Sequence, residues 1–330
     1  MSFNEPKVIV IDDGALEKLG NLMKDYNNPL CVTDELIHAD YHQHLEKNIG
    51  TSCQWLMASK YRADSNTVLG NIDIVLGFGG GSSLDIAKLV ARDTGLNWIS
   101  IPTAASHDGI ASDVASVSHN GYKYSERCKG PLAVIADTSI ISEAPPMLKL
   151  AGLGDIICKT SSLAEWKMAS EVRGESFDKS VYSIVENALN MVLKDDSLET
   201  LIRAEIDAGR AMGIFGSSRP CSGTEHAISH AMDRDCGQLH GLQVVFATPL
   251  CLHYLSEAGY SDYKPEDVLK FMSERQLPIK LDEMSITSEQ FINAIHHGLN
   301  IMEKRSRYSI LRHLDVVDSS LKNTIVDLDY

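Results

Sequence analysis

The feature that most constrains the fold is the run IDIVLGFGGGSSLDIAK at residues 72–88. Its first half is apolar on consecutive residues rather than on alternate ones. A strand of that kind is covered on both faces, which places it inside a parallel sheet flanked by helices. The glycines that end it let the backbone turn and approach a ligand closely. SLDIAKLVARDTG then has helical spacing, closed by Gly95. Such a turn leaves free N–H groups and a positive dipole end at the helix start, suited to a pyrophosphate. Ser82 followed three residues later by Asp85 also fits a capping box. The spacing matches neither G-x-G-x-x-G nor the P-loop, so a tight structural turn with a good cap explains this stretch equally well by itself.

The flanking sequence alternates in the same style. PKVIVI, PLCVTD, NWISIPTAAS and PLAVIADTSII read as strands, and GALEKLGNLMKDY, DELIHADYHQHLEKNI and QWLMASKYRADS as helices. This is the pattern of an open α/β sheet. After Ala144-Pro145-Pro146 the periodicity is almost only helical, and proline breaks both helix and central strand. The expected architecture is therefore a Rossmann-like parallel-sheet domain over residues 1–144, binding a dinucleotide, followed by an all-helical metal- and substrate-binding domain over 145–330. A chain of 330 residues is long enough for two cores.

Composition narrows the partners. A formal net charge of −15 argues against nucleic acid or an anionic membrane surface. No apolar run is long enough to span a bilayer, and the N-terminus MSFNEPKVIVIDDGALEKL lacks the basic start and long apolar segment of a signal peptide. The seven cysteines are scattered and never in C-x-x-C spacing, as expected of reduced thiols in a cytoplasmic protein.

Chemistry concentrates in RPCSGTEHAISHAMDRDCGQLHGL, residues 219–242. His226 and His230 share one helical face, and His240 starts the next helix. A two-histidine, one-carboxylate site with an open position suits a catalytic divalent metal; a single histidine here would more simply be a core residue. Thr224 and Glu225 are placed either to support the histidines or to cap the helix. Asp155 reads as the first-turn acid of an amphipathic helix, with Lys159 one turn on along the same face. The small, polar loop SIPTAASHDGIASDVAS, residues 100–116, follows a strand where open sheets bind ligands. Within it His107 reads as a hydrogen-bonded structural residue. Asp34, ending CVTD, suits an adenosine ribose hydroxyl or an ordinary turn. His38, His42, His44, His119, His253, His296, His297 and His313 carry no such signal.

GFGGGSSLDIAK, IPTAASHDGIAS, PLAVIADTSII, AGLGDII, SRPCSGTEHAISHAMD, LHG and RYSIL occur in one order from about residue 70 to 313. In these motifs the chain resembles the sn-glycerol-1-phosphate dehydrogenases. They form a branch of the group that also holds iron-type alcohol dehydrogenases, glycerol dehydrogenases and dehydroquinate synthases. The resemblance implies NAD or NADP as cofactor, with its phosphates on Gly81, Ser82, Ser83, Leu84 and Asp85. Thr103, Ala104, Ala105 and Ser106 would line the nicotinamide side, and Ser112 would also touch cofactor. It implies Asp155, His226 and His240 as ligands to zinc, or to nickel or iron, with Asp108 and His230 facing the substrate and relaying protons. It implies interconversion of dihydroxyacetone phosphate and sn-glycerol 1-phosphate, the ether-lipid backbone, by a homo-oligomer. A polyol dehydrogenase or a dehydroquinate synthase-like lyase of the same architecture are the alternatives. The chain departs from the family at Leu242, where glutamate is common, at Asp113, where proline is common, and at Ile157-Cys158-Lys159, in place of a more usual Ser-Asn pair. Lys159 would meet the substrate phosphate as a point charge, with Arg219 a second candidate.

Overall fold

A computed structural model describes residues 5–61, 70–119 and 122–330. The chain divides into two compact units, Met1–Lys149 with Ser197–Gly216, and Leu150–Asp196 with Ser217–Tyr330.

The first unit is built on a six-stranded sheet. Its strands are β1 (Val8–Asp12), β2 (Pro29–Thr33), β3 (Gln54–Met57), β4 (Ile74–Gly79), β5 (Trp98–Pro102) and, after a separate hairpin of β6 (Val114–His119) and β7 (Tyr122–Arg127), β8 (Ala133–Asp137). They lie in the order β1-β8-β5-β4-β2-β3, and every pair is parallel. The four inner strands are buried at every residue, as their predominantly apolar runs require. On one face Ile74, Leu76, Phe78, Ile99 and Ile101 pack against Leu16, Leu19 and Leu45.

Four local readings differ. QWLMASK forms edge strand β3 and a short 3-10 turn at Ala58–Lys60 rather than a helix; residues 62–65 of that expected helix lie outside the described residues. GALEKLGNLMKDY yields only a 3-10 turn at Ala15–Lys18 and a helix at Leu19–Leu22. The β6–β7 pair was not expected at all. Finally, the helix Gly81–Thr94 starts before Ser82, with Gly80 at its N-cap and no side-chain cap. Ser82 is thus already inside the helix, and the expected capping box does not form. Asp85 instead pairs with buried Lys88 at 2.9 Å and accepts from Ser116 N–H at 3.0 Å.

The helix Leu198–Phe215 lies within the stretch assigned from sequence to the second domain, yet it belongs to the first unit. Gly209 accounts for this: a Cβ there would come 2.4 Å from Asp108 O and 2.9 Å from Ser112 N. The helix backbone therefore rests directly on the loop after β5.

The second unit contains only helices. Ile228, Phe246, Leu250, Phe291 and Ile295 centre its core. Two of its helices, Pro146–Ile157 and His240–Glu257, cross with their backbones in contact. A Cβ on Gly154 would lie 2.3 Å from Gly241 O, and one on Gly241 only 1.8 Å from Ala151 O. Asp155 sits in the last turn of Pro146–Ile157, not in the first turn of a helix as expected, because the helical run breaks at Cys158 and resumes as Lys159–Arg173. No helix among the described residues is long and apolar enough to cross a membrane.

Candidate metal centre and dinucleotide turn

In the second unit the glycine crossing sets Asp155 beside the histidines. His226 lies in the first turn of Thr224–Met232, and His240 opens His240–Glu257. His226 Nε2 is 3.6 Å from Asp155 Oδ1. The His226 and His240 rings are 5.2 Å apart, and His230 stacks on His240 at 5.5 Å. Asp155 and His226 are buried, while His230 and His240 are half-buried.

Hydrogen bonds behind the rings decide which nitrogens are bare. Gln243 Nε2 donates to Cys236 O at 3.2 Å and Gln238 O at 3.1 Å, which turns its Oε1 toward Ser229. Ser229 Oγ donates to that oxygen at 2.8 Å. Its lone pair then accepts Nδ1–H of His240, 2.9 Å away, leaving His240 Nε2 without a proton. Glu225 Oε1 accepts from His226 Nδ1 at 2.9 Å, which turns the other ring nitrogen, Nε2, toward Asp155 Oδ1. A buried carboxylate and an imidazole nitrogen turned to each other at this distance are an arrangement that a shared cation would satisfy. Carboxylate and serine partners behind ligating imidazoles are what a metal centre uses to fix tautomer and orientation.

The electrostatics agree. Burial alone would raise the Asp155 carboxyl, but Lys159, His226 and His240 hold it well below the usual range. His226 is pushed well above the ordinary imidazole value: burial opposes its charge, and Cys158, Asp155 and Glu225 outweigh it. Lys159 is fully buried, with Nζ 3.5 Å from Asp155 Oδ2. It neutralises the oxygen of Asp155 that turns away from His226. Asp155, Cys158 and His226 also form a geometrically possible ligand triad. Cys158 Sγ, however, donates to Asp155 O at 3.0 Å and lies 3.9 Å from Nδ1, the nitrogen of His226 already bonded to Glu225.

Sequence reading did not single out Ser229, Gln243, Cys158 or Glu165. Glu165 is buried and accepts from Thr224 N and Oγ1 at 2.9 and 2.6 Å and from Ile310 N at 2.9 Å. Of the two residues expected to support the histidines, Glu225 touches His226 and Thr224 instead bonds Glu165 and Ser309. Arg219 is buried between Glu165 at 3.4 Å and Glu175 at 2.8 Å.

In the first unit the other candidates gather at the carboxyl edge of the sheet. Thr103 N donates to Gly79 O at 3.1 Å. A Cβ on Gly79, whose φ is +157°, would lie 3.3 Å from Asp34 Oδ2. Asp34 caps Glu35–Ile49, its Oδ1 accepting from Leu36 and Ile37 N–H. The turn after β4 is thus bracketed by the ends of β2 and β5, the crevice where open sheets take ligands. His107 Nε2 would be 2.1 Å from a Cβ on Gly81, and its Nδ1 accepts Gly109 N–H at 2.8 Å; it closes the turn structurally. Ser83, Leu84 and Asp85 are buried, as are Thr103, Ala104 and Ala105, so the turn presents backbone N–H groups at an uncapped helix start. Asp108 heads a 3-10 turn at Asp108–Ile110. Ser112 is buried, its hydroxyl accepting from Lys88 Nζ at 3.3 Å. His119 has no described side chain.

A parallel-sheet unit with a glycine turn at an uncapped helix start, joined in sequence to a helical unit, is the architecture of a class of NAD(P)-dependent oxidoreductases. The family model for iron-containing alcohol dehydrogenases matches residues 10–145. Two solved structures share the fold. Glycerol dehydrogenase from Schizosaccharomyces pombe has a TM-score of 0.77 at 19% identity and covers 99% of this chain and 90% of its own. A probable glycerol dehydrogenase from Sinorhizobium meliloti has a TM-score of 0.75 at 20% identity, covering 99% and 98%.

Sequence relatives are more specific. Glycerol-1-phosphate dehydrogenase [NAD(P)+] of Methanosarcina acetivorans is 32% identical over 329 residues, covering 93% of this chain and 90% of the relative. That of Archaeoglobus fulgidus is 34% identical over 320 residues, covering 91% of each. The chain belongs to the glycerol-1-phosphate dehydrogenase family.

Proposed function

We propose that the protein is an NAD(P)-dependent, metal-dependent glycerol-1-phosphate dehydrogenase, interconverting dihydroxyacetone phosphate and sn-glycerol 1-phosphate. The observation that supports the reading is the buried Asp155 carboxylate 3.6 Å from His226 Nε2 with the His240 ring 5.2 Å from that of His226, in a chain whose relatives of that name align over nine-tenths of its length. Asp155, His226 and His240 would hold the ion, zinc by the oxygen-and-nitrogen donor set and half-open position, with nickel or iron as the other occupants. Asp155 offers Oδ1 to it while Lys159 keeps Oδ2 neutralised.

When bound, the ion supplies Lewis acidity at the substrate carbonyl and the nicotinamide supplies the hydride. The chain does the rest. The N–H groups of Gly81, Ser82 and Ser83 bind the dinucleotide phosphates at the helix start. Asp34 Oδ2 takes a ribose hydroxyl, and Thr103 to Ser106 line the nicotinamide side, with Ser112 behind them. His230, held against His240, and Asp108 would relay the proton that the substrate's C2 oxygen takes up as it becomes the product hydroxyl. Seven free thiols support a reducing, cytoplasmic setting. Assembly into a homo-oligomer is part of the same proposal.

The test is oxidation of NADH and of NADPH with dihydroxyacetone phosphate, on metal-stripped protein with and without added zinc or nickel. The expected result is metal-dependent turnover to a product that an sn-glycerol-3-phosphate-specific enzyme refuses. Turnover of glycerol or another unphosphorylated polyol, with none of the phosphate, would overturn the reading.

A further inference from the structure

One helix face grips the start of the helix that carries His226. Ser161 and Glu165 stand one turn apart on Lys159–Arg173, which resumes the chain just after Asp155. Both are buried. Glu165 faces four donors: its Oε1 accepts from Thr224 Oγ1 at 2.6 Å and Ile310 N at 2.9 Å, its Oε2 from Thr224 N at 2.9 Å and Arg219 Nη1 at 3.4 Å. Ser161 Oγ donates to Glu225 Oε2 at 3.0 Å and shares its hydrogen with Cys158 O at the same distance. Thr224 is the first residue of the helix Thr224–Met232, so the helix start is fastened to the stretch that continues from Asp155.

Glu225 connects this grip to the histidine. Its Oε1 accepts Gly223 N–H at 2.7 Å and holds His226 Nδ1 at 2.9 Å. Gly223 leaves room for both acids: a Cβ there would lie 2.7 Å from Glu165 Oε2 and 2.9 Å from Glu225 Oε2. The two carboxylates are thus packed against one residue, and the helix start cannot shift without disturbing Glu225. From Thr224 to His226 the helix advances only about 3 Å. An ionised carboxylate is all acceptor, whereas a carboxamide is half donor. Whichever way a glutamine turned at position 165, its –NH2 would face donors that Glu165 now satisfies.

We propose that Glu165 is a positioning residue for the metal centre. Through Thr224, Gly223 and Glu225, with Ser161 beside it, Glu165 fixes the bond at His226 Nδ1 and so the aim of His226 Nε2 at Asp155. It acts on the metal only through His226. This rests on the ligand set proposed above. The same role takes in the stretch RYSIL, residues 307–311: Ile310 N–H is one of the Glu165 donors, and Ser309 Oγ lies 2.7 Å from Thr224 Oγ1.

The experiment takes two readouts on Glu165→Gln, Thr224→Val and Thr224→Ser, with thermal unfolding in parallel. The first is zinc affinity by competition with a chromophoric chelator. Glu165→Gln and Thr224→Val should bind zinc about 10-fold more weakly, and Thr224→Ser, which keeps the hydroxyl, should recover most of that loss. The second is the downfield proton resonance of the charge-assisted Nδ1–H of His226 in zinc-free protein, assigned by its loss in His226→Ala. It should move or broaden in Glu165→Gln and Thr224→Val. Thr224→Val leaves the Glu165–Arg219 pair in place and carries the test if Glu165→Gln does not fold. A purely structural role would lower the unfolding temperature and move neither readout. Zinc held within about threefold of the parent, or a resonance unmoved or absent from the parent, overturns the proposal. If the parent and His226→Ala bound zinc equally, the ligand set would fall instead. The resonance alone would then decide the positioning role: moved, it stands; unmoved, it falls.

Discussion

Gly241→Ala tests whether the helix crossing builds the metal centre. The new methyl would sit 1.8 Å from Ala151 O, against about 3.4 Å for an ordinary contact, and Ala151 C and Cα lie at 2.5 and 2.9 Å. All three are backbone atoms, so no side chain can swing aside. The helices Pro146–Ile157 and His240–Glu257 must part by about 1.6 Å at this point. His240 is the preceding residue, and Asp155 is four residues from Ala151, one turn along its helix. Metal–ligand bonds of ~2.0–2.2 Å do not stretch to absorb such a shift. Overpacking of this kind costs about 1–3 kcal/mol of stability, and displaced ligands should weaken zinc by about 10- to 100-fold or more. The assay is competition for zinc against a chromophoric chelator, with thermal unfolding in parallel. Gly237→Ala is the control, since nothing lies within 4 Å of its Cβ, and it should change neither. A Gly241→Ala protein that unfolds at lower temperature but binds zinc within about threefold of the parent would refute the argument.

Three further outcomes are expected. Ser229→Ala removes the acceptor of His240 Nδ1–H and should weaken zinc about 10- to 100-fold with little change in unfolding temperature; equal affinity would mean the ring is held otherwise. The cobalt-substituted protein should lack an intense thiolate-to-cobalt band, and Cys158→Ser should bind metal as before, because Cys158 Sγ faces Nδ1 of His226; a thiolate band would bring Cys158 into the ligand set. Asp137→Ala should cost about 1–2 kcal/mol, since its carboxylate accepts from Gly14, Leu16 and Ser139 N–H. Those bonds hold its pKa below the usual value against burial. Its contribution is therefore complete above pH ~4 and fades as pH falls through the lowered value. Urea unfolding at pH 7 and pH 3 checks this: the gap between parent and variant should narrow in acid.

The elements that read clearly from sequence are those whose pattern follows from burial. β4 carries an unbroken apolar run, and β5 one interrupted only by buried Ser100, because both faces are covered, and the turn after β4 announces itself by glycines. Edge elements give weaker signals. β3 is half-exposed, so QWLMASK obeys helical spacing as well as strand spacing. Strands β6 and β7 are polar, and the one local cue is the Asn120-Gly121 dipeptide, a hairpin signal. The return of Leu198–Phe215 to the first unit leaves no mark in its periodicity; only Gly209, in an otherwise regular helix, hints at close backbone approach.

The site divides along the same line. Histidines four apart on a helix are visible because the helix fixes their geometry. The groups that tell each histidine which nitrogen to bare come from elsewhere in the chain, or from neighbours too ordinary to notice. Gln243 is three residues after His240, yet its role depends on carbonyls at Cys236 and Gln238 holding its amide. Lys159 shows the converse. Its spacing from Asp155 was legible, and the pairing is there, but burial decides what the charge does. A lysine read as a substrate contact is enclosed with the carboxylate it neutralises. Charge that is free to act is a property of what the fold leaves unpaired, which only the assembled structure displays.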